Sequence, residues 1–435
     1  MLRITLFLLL APFFANSQEA GDCDFFDHNL TPKARISVGA KAVAANDYRW
    51  INAAVKDKKV VLIGESHWMN TLQSYTEDLV FYLTKYGFHT LVLELPYSAT
   101  SYINAYINSD TSDGEKLMPY LRAFFDTKEN MRFLNRLRDW NSQHPEQKLT
   151  VACSDIEQDF SYSLRQIFIP FFNQVGDKEL VPRIKAAGRI TPEILSFMDS
   201  VIQTAPADVL ITDRPFIDKN YVRNVFENFK TSYNAFMKIE EQGEDAGFPL
   251  FMELRVARIV SNLTDDAFFG NIIKNGKSII WAGASHTRIY KPEGANFPEY
   301  EGWKLAHEIP YTKGKVLSVK LVNFGFNIPA SYYSNEAYKN GTGQFESLVN
   351  GYKSCVNAYA ANRYLLIDDP TEITKAVFTQ FKKYKDQPLL FKGKDTMEKI
   401  VKKHPNLSTD AVGQDLYGFD YILAFPGATL FEYEE

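Results

Sequence analysis

The chain has 435 residues, of which 45% are hydrophobic and 23% charged, with a formal net charge of -5 at pH 7. That balance fits a globular protein with a substantial core, and the absence of any basic stripe excludes a nucleic-acid footprint. The three cysteines, Cys23, Cys153 and Cys355, allow one disulfide at most and exclude a disulfide scaffold.

The first residues carry an address. Arg3 precedes an apolar run from Ile4 to Phe14, followed by the small-x-small pattern Ala15-Asn16-Ser17. The run is too short to span a bilayer and reads as a secretory signal over 1–17, cleaved near Ser17, which predicts export to the periplasm or the exterior. Residues 18–45 read as a leader with a few anchoring aromatics, and residues 46–58 as a short helix.

Regular alternation begins with Val60-Val61-Leu62-Ile63, a β-branched apolar run of the kind that parallel sheets bury on both faces. Leu72, Tyr75, Leu79, Leu83 and Tyr86 follow at helical spacing, and Gly87 stops that helix. Thr90-Leu91-Val92-Leu93 is a second buried strand, and residues 97–142 read as helical. A third strand, Leu149-Thr150-Val151-Ala152-Cys153, places Cys153 as a small core residue rather than a thiol nucleophile. Residues 160–270 read almost entirely as helix, strongest over 221–241 and 251–263, with a loop at 243–249 between them. Ser278-Ile279-Ile280-Trp281-Ala282 is a fourth strand and residues 316–322 a fifth. Turn signals and a helical patch occupy 335–365, and residues 375–403 read as a basic helix with a solvated face. Residues 419–425 form the last apolar strand. No later stretch has the length and apolarity of a membrane helix.

Strands alternating with helices predict an α/β fold, with a mostly parallel central sheet flanked by helices. The expected organisation is one domain over 46–435, carrying a large helical insertion at about 160–270. Sheets of this class bind ligands beyond the carboxyl ends of their strands. Here those ends carry Gly64-Glu65-Ser66-His67, Glu94-Leu95-Pro96, Asp155 with Glu157 two residues on, and Gly283-Ala284-Ser285-His286 with Arg288 two residues on. A parallel sheet brings these acids, histidines and the arginine to one edge. Asp155 also suits a helix cap. Glu94 follows a buried run, so its charge needs a partner, and His67 or Arg288 would serve. The remaining histidines, His28, His89, His144, His307 and His404, read as structural or exposed, with His307 the one that could lie near the cleft.

Other chemistries lack their motifs. Ser66 and Ser285 are each followed by a histidine, but neighbouring side chains point apart, and neither serine lies in a nucleophile elbow. Walker and dinucleotide glycine loops are absent from the sequence, as is a two-histidine zinc helix. A divalent metal held by Glu65, His67, Glu94 and His286 is compatible by ligand type. A haem or small-ligand carrier would use the same histidines without turnover, and a surface interaction protein would keep the site only as a relic.

The Gly-Glu-x-His turn at 64–67, Glu94 and the Gly-Ala-Ser-His-x-Arg stretch at 283–288 together resemble the erythromycin-esterase-like superfamily (EreA/ChaN-like), which includes the TIKI/TraB proteases and the haem-uptake ChaN proteins. Tyr102-Ile103-Asn104-Ala105-Tyr106, Ser154-Asp155-Ile156-Glu157, Phe419-Asp420-Tyr421-Ile422 and Arg255 extend the likeness over about 46–430. Only Ser66 separates Glu65 from His67, a spacing that looks more like the ChaN and TIKI branches than the esterases. Gly283 stands where the esterases carry an additional histidine. The resemblance implies a hydrolytic site with an open choice of substrate.

On the residues themselves, His67 is the expected general base on a water, with Glu65 or Glu94 holding its ring, His286 the acid for the leaving group, and Arg288 facing the negative charge that develops on the attacked carbonyl. Asp155 belongs to the same candidate set. This preferred reading requires no cofactor, and its partner is a small-molecule or peptide substrate of ester, lactone or amide type. The alternatives are a metal-dependent hydrolase or protease of TIKI type and a haem or small-ligand binding protein of ChaN type. Oligomeric state is left open.

Overall fold

The structure is a computed structural model that describes residues 38–67, 69–211, 217–291, 298–323, 326–327, 372–385, 387–404, 416–426 and 428–429. The signal at 1–17, most of the leader and the patch at 335–365 lie outside the described residues. The strands are, in chain order, β1 (Lys41–Ala42), β2 (Val60–Glu65), β3 (Phe88–Pro96), β4 (Thr150–Asp155), β5 (Lys277–Gly283), β6 (Val316–Asn323), β7 (Phe326–Asn327), β8 (Leu389–Lys392), β9 (Tyr421–Phe425) and β10 (Ala428–Thr429). The helices that matter most are α1 (Asn70–Thr84), α2 (Thr100–Ile107), α3 (Thr111–Leu121), α4 (Lys128–Gln143), α5 (Lys219–Gln242), α6 (Glu244–Thr264), α7 (Glu301–His307), α8 (Glu372–Lys383) and α9 (Gly393–Lys403). Backbone packing divides the chain into two compact units. Among the described residues, the first holds His89–Asp126 and Met131–Gly276, and the second holds Val38–Phe88, Thr127–Asn130 and those from Lys277 onward.

The second unit is built on strands in the order β1-β8-β9-β6-β2-β5. The pairs β2–β5, β2–β6 and β6–β9 are parallel, whereas β8 runs antiparallel to both β9 and β1. β2 lies between two neighbours, so both of its backbone edges are satisfied, and Val60, Val61, Leu62 and Ile63 are wholly buried. Each such side chain contributes about 2 kcal/mol of apolar burial. α1 places Leu72, Tyr75, Leu79 and Leu83 in the core at the spacing read from the sequence. The chain turns out of it at Gly87, whose φ of +84° a side chain would resist.

The first unit pairs β3 and β4 in parallel, with an irregularity between Leu93 and Pro96. The expected helical stretch 97–142 is broken into α2, α3 and α4, and Asp110 caps α3 by accepting from the Asp113 amide at 2.9 Å. Helices dominate 160–264, as their periodicity predicts. The loop expected at 243–249 shrinks to Gly243, with φ +79°, because α6 starts at Glu244 and keeps Pro249 inside it. Gly247 explains how: a Cβ there would lie 2.4 Å from the Lys238 carbonyl oxygen, so only a glycine lets α5 and α6 close their hairpin so tightly. Asn262 on α6 then donates to Asn228 on α5 at 2.7 Å and to the Ser154 carbonyl of β4 at 2.9 Å.

The basic helix expected over 375–403 is instead α8, β8 and α9. Pro388 cannot extend a helix, and the following Leu389-Leu390-Phe391 completes the sheet beside β9. This apolar strand packs with Phe381, Met397, Ile400, Phe419 and Ile422. The solvated face survives on α9, where Lys402 and Lys403 are exposed. With its largely parallel strands and flanking helices, the molecule belongs to the α/β class that the alternation predicts.

Candidate active site

In the second unit, a histidine follows the end of each of the paired strands β2 and β5. Gly64 is the register partner of Ala282, and Glu65 of Gly283. Glu65 is 7% exposed and its Oε1 lies 2.9 Å from Nδ1 of His67, whose side chain is 30% exposed. An ionised carboxylate can only accept, so Nδ1 of His67 carries the donated proton. Glu65 is therefore the carboxylate that orients His67 within this unit.

After β5 the chain enters a tight 3-10 turn, Ala284–Thr287, that contains His286. The turn lies directly against the end of β2. A Cβ on Gly64 would sit 2.1 Å from Thr287 Oγ1 and 3.0 Å from the Ala284 Cα. Ser318 on β6 donates to the Thr287 carbonyl at 2.5 Å and ties the turn to the other neighbour of β2. His286 is buried, 3% exposed, and its Nδ1 lies 2.8 Å from Oε1 and 3.0 Å from Oε2 of Glu301. Glu301 is the first residue of α7 and equally buried at 3%. The next residue explains how α7 comes so close, since a Cβ on Gly302 would lie 2.7 Å from the His286 carbonyl oxygen. Arg288 is half-buried, and its aliphatic stem runs beneath Gly418, whose missing Cβ would fall 2.8 Å from Arg288 Cγ. His307 binds the Ile289 carbonyl at 2.7 Å through Nε2 and braces the segment after the turn.

In the first unit, the ends of β3 and β4 are held by Arg255 of α6. Its Nε and Nη2 bond Asp155 at 2.9 and 2.7 Å, and Nη2 also bonds Glu94 Oε1 at 2.7 Å. The planar fork of a guanidinium suits this bidentate grip. Asp155 also accepts from the Ile156 amide at 2.8 Å and from Gln158. Asp155 thus anchors Arg255, while the helix that follows is capped by Asp159, which accepts from the Tyr162 amide at 3.0 Å. Within this unit Arg255 supplies a cation to Glu94.

Glu157 is a second buried acid on the same turn. Its Oε1 accepts from the Ser98 amide at 2.9 Å, and its Oε2 from the Ser98 and Ser163 hydroxyls at 2.5 and 2.6 Å. Burial pushes its carboxyl up to about 7 against the lowering effect of those bonds, with the nearby Asp155 adding to the rise. Burial also pushes the Cys153 thiol up to about 12, so it stays a neutral core group.

Among the described residues, no group of three or more His, Cys, Asp or Glu side chains is placed to hold a metal ion. Glu301 was missed by sequence reasoning because it opens a helix remote from any strand end, and no spacing rule links it to His286. Arg255 was visible through the resemblance alone, since one arginine on a long amphipathic helix carries no motif.

No protein-family profile and no curated protein matches the chain. Solved structures do match. A protein from Bacillus cereus aligns over 91% of this chain and 97% of its own, with a TM-score of 0.55 and 15% identity. A succinoglycan biosynthesis protein aligns over 93% and 96%, with a TM-score of 0.56 and 12% identity. A variant of the erythromycin esterase EreC in its open conformation aligns over 89% and 98%, with a TM-score of 0.52 and 12% identity. The chain therefore shares its fold with these structures, the erythromycin esterase variant among them. Among the described residues no helix is long and apolar enough to cross a membrane.

Proposed function

We propose that the chain is an exported hydrolase that activates water at His67 to cleave an ester, lactone or amide. One observation carries the reading: two histidine–carboxylate pairs stand at the ends of two adjacent, in-register parallel strands. A neutral imidazole with its Nδ1 proton held by Glu65 is a general base at Nε2. Water oxygen attacks the acyl carbon while its proton passes to His67 Nε2. The bond to the leaving oxygen or nitrogen then breaks as that atom takes a proton from His286 Nε2. Arg288, fixed by its packed stem, faces the negative charge on the former carbonyl oxygen. The structural likeness to an esterase supports this reaction class.

The test is a screen of ester, lactone and amide substrates with wild type and His67→Ala. Removing the base lowers turnover by about 10²–10⁴-fold with an unchanged unfolding temperature. Full activity in His67→Ala removes the base from the proposal. Export is tested by sequencing the amino terminus of the protein recovered outside the cytoplasm, which should begin just after Ser17.

A further inference from the structure

We infer that Glu301 is a positioning residue that locks His286 with its proton on Nδ1, leaving Nε2 as the nitrogen that exchanges protons with the leaving group. The catalytic part of this inference rests on the hydrolase reading above; the tautomer does not.

Three observations carry it. Both carboxylate oxygens of Glu301 face the same imidazole nitrogen, at 2.8 and 3.0 Å. A carboxylate lacking a proton of its own cannot donate to that nitrogen, so the nitrogen must be the donor. The pair is also built in by backbone shape: Gly302 lets the first turn of α7 approach the His286 carbonyl, and Gly64 lets the turn carrying His286 rest on β2. Finally, the Tyr300 ring lies 5.1 Å from the imidazole, centre to centre, and limits the swing of the ring.

A purely structural role is the competing explanation. Buried ion pairs add little stability over apolar groups of the same shape, so what this pair provides is the fixed direction of one ring. That direction matters to a proton donor and little to a packing residue. When His286 is protonated, Glu301 faces the cation and keeps the Nδ1 proton in place, so the mobile proton is the one on Nε2. When His286 is neutral, the same bond excludes the tautomer that would carry its proton on Nε2. The two pairs then work alike, because in each a carboxylate fixes the proton on Nδ1.

The test is long-range proton–nitrogen correlation spectroscopy of the full-length protein labelled at histidine, with the His286 signal assigned from His286→Asn. In wild type above the titration of the ring, the proton should sit on Nδ1. Glu301→Leu should release the ring to the Nε2-protonated form or a mixture, and Glu301→Asp should restore the wild-type pattern. A wild-type His286 protonated on Nε2 overturns the inference, as does a Glu301→Leu spectrum unchanged from wild type. On any substrate cleaved by wild type, Glu301→Leu should lower kcat by about 10²-fold with KM within twofold, and Glu301→Asp should recover most of the loss. Should wild type cleave nothing yet show the Nδ1 signature, the positioning role stands and the hydrolase reading falls. Turnover by wild type with His286 protonated on Nε2 leaves the hydrolase reading and removes Glu301 from it.

Discussion

Glu157 makes the sharpest physical prediction. Its carboxyl lies fully buried at the end of β4 and is pushed from 4.5 to about 7 by that burial. The unfolded chain releases this proton near 4.5, whereas the folded chain keeps it until about 7. Between those values the folded state binds more protons, so stability falls as pH rises and levels off above 7. At 1.36 kcal/mol for each unit, the loss reaches about 3 kcal/mol. Glu157→Gln removes the titration and preserves the shape. The amide oxygen still accepts from the Ser98 amide, and the amide nitrogen donates to the Ser98 and Ser163 hydroxyl oxygens, which now accept. The variant and wild type should unfold at nearly the same temperature at pH 4.5. At pH 8 the variant should unfold higher, by about 6–12 °C for a unit of this size. The assay is the unfolding temperature of both proteins across pH 4.5–8. A constant offset between the two curves, or a variant that loses ground as pH rises, refutes the account.

The remaining predictions follow from single contacts. Gly64→Ala drives a methyl group into Thr287 Oγ1 and the Ala284 backbone and should cost about 1–3 kcal/mol, measured by denaturant unfolding; Thr287→Ala in the same chain should recover part of it, and no recovery would mean that the backbone contact dominates. Arg255→Leu takes the guanidinium from two carboxylates at once and should cost about 3–5 kcal/mol. Arg255→Lys should fail to restore most of this, because one ammonium cannot reproduce the bidentate bond to Asp155; full restoration would show that charge alone matters there.

Much of the fold was legible because its strands are short apolar runs bounded by turn residues. β2, β5 and β6 carry that pattern plainly, and their parallel pairing follows from the helices between them. The acids and histidines at their ends were legible for the same reason, since the rule about carboxyl ends needs only the strand boundaries. What remained hidden depends on contacts between distant segments. The turn from α5 into α6 is a close approach allowed by Gly247, and a glycine two residues before a proline reads locally as a loop. β8 was masked by the helical pattern on either side, and only its pairing with β9 makes it a strand. Arg255 and Glu301 belong to helices, and each meets its partner far along the chain.

The glycines also explain how the turn that carries His286 is held against the strands. Catalytic groups act best when their rotamers are fixed by elements that are themselves rigid. His67 lies two residues past the end of β2, and His286 sits in the tight turn that follows β5. The two strands alone would leave the turn free to lift away. Gly64 removes the side chain that would hold it off β2, Ser318 binds the turn to β6, and Gly302 admits the helix that supplies Glu301. Three strands and a helix thus fix one histidine, while Glu65, a strand residue itself, fixes the other. On this argument a side chain at Gly302 should disturb the His286 ring more than the His67 ring, although both histidines belong to one unit. Gly302→Ala should therefore alter the nitrogen signals of His286 and leave those of His67 in place. Equal changes at both rings would mean that the strand ends move together and that the turn is not separately anchored.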